Sequence, residues 1–480
     1  MTRRAKIVCT LGPASSSPER LTGLVQAGLD VARLNMSHGE YAEHLAAYEA
    51  VRAAGDEAGR SVGVLADLQG PKIRLGRFAS GPVMLSAGND FDITGDDVEG
   101  SAREASSTYP GLAADVRVAD RILVDDGRVV LEVTGVRGSR IRTRVLVGGQ
   151  VSDHKGLNVP GAGLALPALT PKDEQDLRWA LGLRADLIAL SFVRGPQDAD
   201  RARAIMDETG VRLPIIAKIE KPQAVSALPE ILEAFDGLMV ARGDLGVEMP
   251  LEQVPMVQKR AVNLARDKAK PVIVATQMLE SMISAPRPTR AEASDVANAV
   301  LDGADALMLS AETSIGAYPA ESVATMAKII VAAERECLSA AASLTRVPTT
   351  TGGAIARAAA EVGAIVGAAA LVAFTMSGET ARRLARYRSA IPLLAFTPLA
   401  ATRSQLALTW GVETFIVPPV SHTDEMVRQV ETALLDIGRC DKGDKIVIVA
   451  GSPPGTPGRT NALRVHRIGD AISSPLAGRP

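Results

Sequence analysis

Lys218 and Glu220 stand two residues apart in the run Pro214-Ile-Ile-Ala-Lys218-Ile-Glu220-Lys221-Pro222, so in an extended chain both side chains leave the same face. Asp244 closes a second short apolar run, Gly237-Leu-Met-Val-Ala-Arg242-Gly243-Asp244. One cation and two carboxylates at strand ends can hold a divalent metal beside a fixed positive charge, which is how phosphoryl-transfer sites offset spreading negative charge. A buried salt bridge is the competing reading of the same residues, because buried charges are ordinarily paired. Other polar residues also come at the ends of apolar runs. Arg33, Asn35 and Ser37 share one face of Asp30 to Gly39, with His38 beside them, and Asp67 ends Ser61 to Asp67.

The elements that must position these residues are short apolar runs bounded by Pro or Gly, too short for helices and apolar throughout, as strands buried on both faces are. We expect eight: Lys6 to Thr10, Asp30 to Gly39, Ser61 to Asp67, Leu187 to Val193, Pro214 to Glu220, Gly237 to Asp244, Pro271 to Gln277 and Ala306 to Glu312. Helix signals separate them: Ser17-Pro18, Thr170-Pro171-Lys-Asp173 and Thr289-Arg-Ala-Glu292 have the pattern of N-caps and capping boxes. From about Ile73 to Pro167 the texture changes to short alternating runs and tight turns, including Val124-Asp125-Asp126-Gly127, where Asp-Gly signals a two-residue hairpin. The expected fold class is α/β: a (β/α)8 TIM barrel formed by residues 1–71 and 168–340, an inserted all-β lid over 72–167, and a doubly wound α/β domain over 341–480. Chemistry on such a barrel sits at the C-terminal ends of its strands, where the polar residues fall.

At 480 residues the chain exceeds one hydrophobic core, which agrees with several domains. A net charge of −2 argues against nucleic-acid or membrane-surface partners. The basic run Arg140 to Val147 has no interleaved aromatics and reads as a solvated strand face. Three widely spaced cysteines, Cys9, Cys337 and Cys440, read as packing residues of a reduced, cytoplasmic protein. The N-terminus lacks the apolar region of a signal peptide, and Ala358 to Met376 is interrupted by Glu361 and glycines, which favours helix then strand over a membrane span. In the last third, Thr375-Met-Ser377-Gly378-Glu379-Thr380 leads from a strand into a helix. Its backbone N–H groups and hydroxyls suit a phosphate; a plain N-cap is the alternative.

Five stretches together resemble the pyruvate kinase family: Arg33-Leu-Asn-Met-Ser-His-Gly39, Gly70-Pro-Lys-Ile-Arg74, Lys218-Ile-Glu220, Met239-Val-Ala-Arg-Gly-Asp-Leu-Gly-Val-Glu248 and Ala275-Thr-Gln-Met-Leu-Glu-Ser-Met282. The resemblance runs from about Lys6 to Gly469. It implies a homotetrameric glycolytic enzyme that moves phosphate from phosphoenolpyruvate to ADP, giving ATP, and protonates the enolate to pyruvate. By the same resemblance, Glu220 and Asp244 hold Mg2+ (or Mn2+), and Lys218 steadies the transferring phosphoryl group and the enolate. Arg33 meets the substrate phosphate, Gly243, Asp244 and Thr276 the rest of the substrate, and Asn35, His38, Arg74 and Lys155 the nucleotide. The final proton donor is left open, a relay through Thr276, Ser310 and Glu312 being one route. Pro71 would hinge the lid.

Asn35, Ser37, Asp67 and the Leu68 carbonyl match the family's monovalent-cation site. Lys72, however, stands where the potassium-requiring branch has Glu, and Leu68 and Gln69 where it has Thr and Lys, so no K+ requirement is expected. Ser377, Gly378 and Thr380 are expected to take a phosphorylated effector, a sugar monophosphate or AMP. A metal-dependent lyase or aldolase that stabilises a pyruvate enolate on the same barrel is the alternative activity, and nucleotide dependence separates the two.

Overall fold

A computed structural model describes residues 3–163, 166–337, 347–454 and 458–470. Among these, eight parallel strands close a barrel in the order Lys6–Thr10, Ala306–Leu309, Val272–Ala275, Gly237–Ala241, Ile215–Ile219, Leu187–Leu190, Gly63–Asp67 and Val31–Asn35. All eight were expected. Their apolar residues divide between two layers, as buried parallel strands require. Val8, Val31, Leu65, Ile216, Met239 and Ile273 fill the interior, whereas Ile7, Val64, Ile188, Ile215, Val240 and Val274 pack outward under the helices. The expected helix starts are present. Ser17 accepts from the Arg20 N–H, and Thr170 with Asp173 and Thr289 with Glu292 form reciprocal capping boxes.

Several strands stop earlier than the sequence pattern implied, and this changes how the polar residues are carried. Gly237–Ala241 gives way to a two-turn helix, Arg242–Glu248, so Asp244 lies in a helical first turn rather than on a strand. A carboxylate there is favoured by the helix dipole. Ala306–Leu309 likewise passes into the short helix Ala311–Ser314, which carries Glu312. After Val272–Ala275, Thr276 and Gln277 have φ of 69° and 53° and turn the chain out of the barrel.

Between Gly63–Asp67 and Leu187–Leu190 the chain builds a six-stranded sheet and a two-stranded sheet around their own core, including Phe91, Ile93, Ile122, Leu131 and Ile141. Asp126 and Gly127 form the expected two-residue turn, with φ of 56° and 85° and the Arg128 N–H donating to Asp125 O at 3.2 Å. Asp125 is itself left-handed, so strand pairing ends one step earlier, at Val124 and Val129. Along Arg140–Val147, Ile141, Thr143 and Val145 are buried while Arg142 and Arg144 face solvent, and Arg140 pairs with Asp92 and Glu104.

The C-terminal part is a five-stranded sheet in the order Val412–Ile416, Leu393–Thr397, Ala370–Phe374, Lys445–Ala450 and Ala462–Arg467, the last strand antiparallel. Hydrophobic clusters cover both faces, as a doubly wound sheet needs. The Ala-rich stretch is the helix Thr351–Val366 followed by the strand Ala370–Phe374, and among the described residues no helix is long and apolar enough to cross a membrane. Cys9 and Cys440 are buried and free. The side chain of Cys337 and the expected boundary at 340–341 lie outside the described residues.

Candidate active site

Lys218 is the hub of the polar groups at the barrel mouth. Its strand, Ile215–Ile219, is apolar except at this position, and the ammonium emerges between two carboxylates. Nζ lies 3.0 Å from Glu220 Oε1 and 3.3 Å from Asp67 Oδ1, and donates to Ser191 Oγ at 2.7 Å. Burial works against the charge, yet Asp67 and Glu220 hold the ammonium well above the ordinary lysine range. Asp67 is the last residue of Gly63–Asp67 and is paired in register with Asn35 on the neighbouring strand. Its other oxygen, Oδ2, accepts from Arg33 Nε at 2.6 Å, while Arg33 Nη1 donates to Thr10 Oγ1 at 2.9 Å. Burial opposes ionisation of Asp67 too, and the Lys218 and Arg33 cations overcome it, keeping the carboxyl below its usual range.

Glu220 is fully buried and accepts the Phe192 N–H at 2.7 Å. Burial raises its pKa, Lys218 opposes the rise, and the negative charge of Asp244 adds to it. Arg33 and Lys218 thus face Asp67, Glu220 and Asp244, one negative charge in excess. A divalent cation between Glu220 and Asp244 would relieve their mutual repulsion and leave the mouth net positive toward an anionic substrate. Among the described residues no cluster of three or more His, Cys, Asp or Glu gathers around a metal position. Two hard carboxylates fit Mg2+, which keeps several waters and takes one or two carboxylates together with phosphate oxygens.

Thr276 and Gly243 meet at the next two strand ends. The Thr276 hydroxyl donates to Ala275 O at 2.6 Å and accepts the Gly243 N–H at 2.7 Å. Arg242, to which the sequence reading gave no role, locks this pair. Its Nη2 donates to Thr276 O at 2.7 Å and its Nη1 lies 2.7 Å from Asp295. Glu312 accepts the backbone N–H groups of Ser310 and Leu279, at 2.7 and 3.1 Å, so both its oxygens help shape the rim.

The residues matched to a monovalent-cation site are close together. Asn35 Oδ1 accepts the Ser37 N–H at 3.3 Å, and Leu68 O accepts the Ser191 hydroxyl at 2.7 Å. Ser191 therefore bridges Leu68 and Lys218, a role missed because a hydroxyl ending an apolar run carries no charge signal. Arg74 and Lys155 belong to the inserted module. Arg74 Nη1 donates to His154 O at 3.1 Å, and Lys155 Nζ lies 2.9 Å from Asp125. Burial and then the charges of Arg74, Lys72 and Arg33 push the His38 imidazole below its ordinary pKa. Lys72 also lines a cavity of about 130 Å3 between the module and the barrel, with Pro71, Phe192, Arg194 and Lys221.

Ser377, Gly378 and Thr380 lie far from this centre, in the C-terminal sheet's first crossover. Gly378, at φ 79°, precedes the helix Glu379–Ala385, and its N–H donates to Thr375 Oγ1 at 2.9 Å. Thr380 Oγ1 is 2.7 Å from Thr460 Oγ1, and Ser377 O accepts from Arg382 at 3.0 Å. Ser377 and Glu379 also border a cavity of about 580 Å3 against the barrel.

Comparison with known proteins agrees with this geometry. Residues 2–323 match the family description "Pyruvate kinase, barrel domain" and residues 353–466 match "Pyruvate kinase, alpha/beta domain". A pyruvate kinase of Mycobacterium intracellulare is 59% identical over 98% of this chain and 99% of its own length, and one of Corynebacterium glutamicum is 56% identical over 98% of both. The crystal structure of a pyruvate kinase from Cryptosporidium parvum superposes with a TM-score of 0.90 at 34% identity, covering 97% of this chain and 96% of that one. With eight strands, five motifs and the full length in agreement, the chain belongs to the pyruvate kinase family.

Proposed function

We propose that the group centred on Lys218 carries out the family's reaction, transfer of the phosphoryl group of phosphoenolpyruvate to ADP with release of pyruvate. The observation that carries this reading is the Lys218 ammonium, buried between Asp67 and Glu220 with the charge of Asp244 acting on it. Because this cation is fixed before substrate arrives, it stabilises charge that develops in the transition state at no cost of reorganisation. Arg33, held by Asp67 and Thr10, presents a second cation to the phosphate. The family is metal-dependent, and Glu220 and Asp244 would hold the ion, Mg2+ or Mn2+, which supplies Lewis-acid neutralisation of the phosphoryl and enolate oxygens. Thr276 and Gly243, locked by Arg242, orient the substrate carboxylate end. His38 and Asn35 on the barrel and Arg74 and Lys155 on the inserted module bind the nucleotide, with the module closing to exclude water.

Lys72 takes over the role of a monovalent cation, so K+ is dispensable. The units divide at 71/72, 167/168 and 340/341. The enzyme works as a cytoplasmic homotetramer, and a sugar monophosphate or AMP binds at Ser377, Gly378 and Thr380. Full-length matches to pyruvate kinases favour phosphoryl transfer over a lyase or aldolase. The test is pyruvate formation measured by a coupled assay. It should require phosphoenolpyruvate, ADP and Mg2+ together, and ADP-independent pyruvate release would return the lyase reading.

A further inference from the structure

Glu248 has no place in the reaction as described, yet its side chain is only 2% exposed and joins three segments of the chain. Oε1 lies 2.5 Å from Lys221 Nζ and accepts the side-chain amide of Asn158 at 2.9 Å. Lys221 directly follows Glu220. Glu248 lies four residues after Asp244 on the helix Arg242–Glu248, a spacing that puts both on one helical face. Asn158 belongs to the strand Leu157–Asn158 of the inserted module. Lys221 Nζ is also 5.5 Å from the centre of the Phe192 ring, and the Phe192 N–H donates to Glu220. One buried carboxylate therefore connects the backbone next to Glu220, the helix bearing Asp244 and the edge of the module.

Resting on the reading of Glu220 and Asp244 as metal ligands, we propose that Glu248 is a positioning residue for both. Its ion pair with Lys221 sets the spacing of the two carboxylates, and its hydrogen bond from Asn158 couples docking of the inserted module to that spacing. A Lys221 released from Glu248 becomes an unpaired cation next to Glu220 in the chain, and competes with a divalent ion for that carboxylate. Removing one member of a buried ion pair also leaves an uncompensated charge, so the local arrangement cannot persist unchanged.

Binding of Mn2+ to the full chain without substrates, followed by the electron spin resonance of the free ion, reads the effect without turnover. Glu248→Gln, which frees the Lys221 ammonium beside Glu220, should weaken Mn2+ about 10-fold, and Lys221→Met, which loses the pair without freeing a cation, should weaken it by a smaller factor. Asn158→Ala, which leaves the Lys221 pair intact, should weaken Mn2+ by a smaller factor than Glu248→Gln and raise KM for ADP; wild-type values of both remove the coupling to the module. Glu248→Gln, which retains an acceptor for Asn158, should leave KM for ADP nearer to wild type than Asn158→Ala does. Glu248→Ala should combine both defects; if it does not fold by circular dichroism, the other three variants decide. Undiminished Mn2+ affinity in both Lys221→Met and Glu248→Gln overturns the proposal. Undiminished affinity in Asp244→Ala removes instead the ligand assignment beneath it.

Discussion

Lys72 and the pair Glu220 and Asp244 are the single charges on which the ion requirements of the proposed reaction turn. Lys72 acts with Arg74 and Arg33 on His38, so this part of the barrel mouth already carries chain-borne cations. A K+ ion within a few Å of an ammonium would be repelled by about 1–4 kcal/mol at effective dielectrics of 80 to 20, enough to weaken an ion site. Activity should therefore be equal in Na+, K+ or tetramethylammonium buffers of matched ionic strength, and Lys72→Glu should create K+ dependence; steady-state rates in the three salts check both. Glu220 and Asp244 repel each other across the mouth. Glu220→Ala and Asp244→Ala should each raise the Mg2+ concentration for half-maximal activity by roughly 10-fold or more while the barrel stays folded. Titration of activity with Mg2+ beside circular dichroism checks this, and a variant with unaltered Mg2+ dependence marks its residue as a salt-bridge partner only.

The elements follow from patterns along the chain to different degrees. The inserted module has its own core around Phe91, Ile93, Leu131 and Ile141, and the barrel closes without it through pairing of Gly63–Asp67 with Leu187–Leu190. Replacing residues 73–167 by a short linker should leave a folded barrel that has lost most phosphoryl transfer, since Arg74 and Lys155 go with the module; loss of the circular dichroism spectrum would show the module to be structural. The barrel strands were legible because strands buried on both faces are apolar throughout, and the caps at Ser17, Thr170 and Thr289 because side-chain oxygen spacing fixes them. Lys218 and Glu220 were legible as a same-face pair for the same local reason. Asp244 was read onto a strand because an apolar run does not reveal where a helical turn begins, and Arg242–Glu248 is helical. Ser191, Arg242 and Glu248 escaped notice since their partners, among them Lys218, Thr276, Lys221 and Asn158, stand on other strands, loops and helices, 27 or more residues away in the chain. Local spacing carries no trace of such contacts.

At the scale of the whole molecule, the C-terminal part grips the barrel at the end opposite the mouth. Ala407 and Leu408 join the barrel interior, and the Arg4 and Arg388 guanidinium groups lie over the Trp410 ring, at 5.4 and 4.8 Å from its centre. Asp305, just before the strand Ala306–Leu309, accepts from both the Arg388 side chain and the backbone N–H of Trp410 at 3.1 Å. Ser377 and Glu379 border the cavity between this part and the barrel. Calorimetry should detect binding of a sugar monophosphate or AMP that Ser377→Ala weakens, and equal affinity in the variant would remove that site. At the mouth, the role proposed for Lys218 is charge stabilisation that only the transition state needs. It is tested most directly by kcat of Lys218→Met at saturating phosphoenolpyruvate, ADP and Mg2+, with phosphoenolpyruvate binding measured alongside. A fall of roughly 10²–10³-fold or more with binding retained is the expected result, and a kcat near wild type would contradict it.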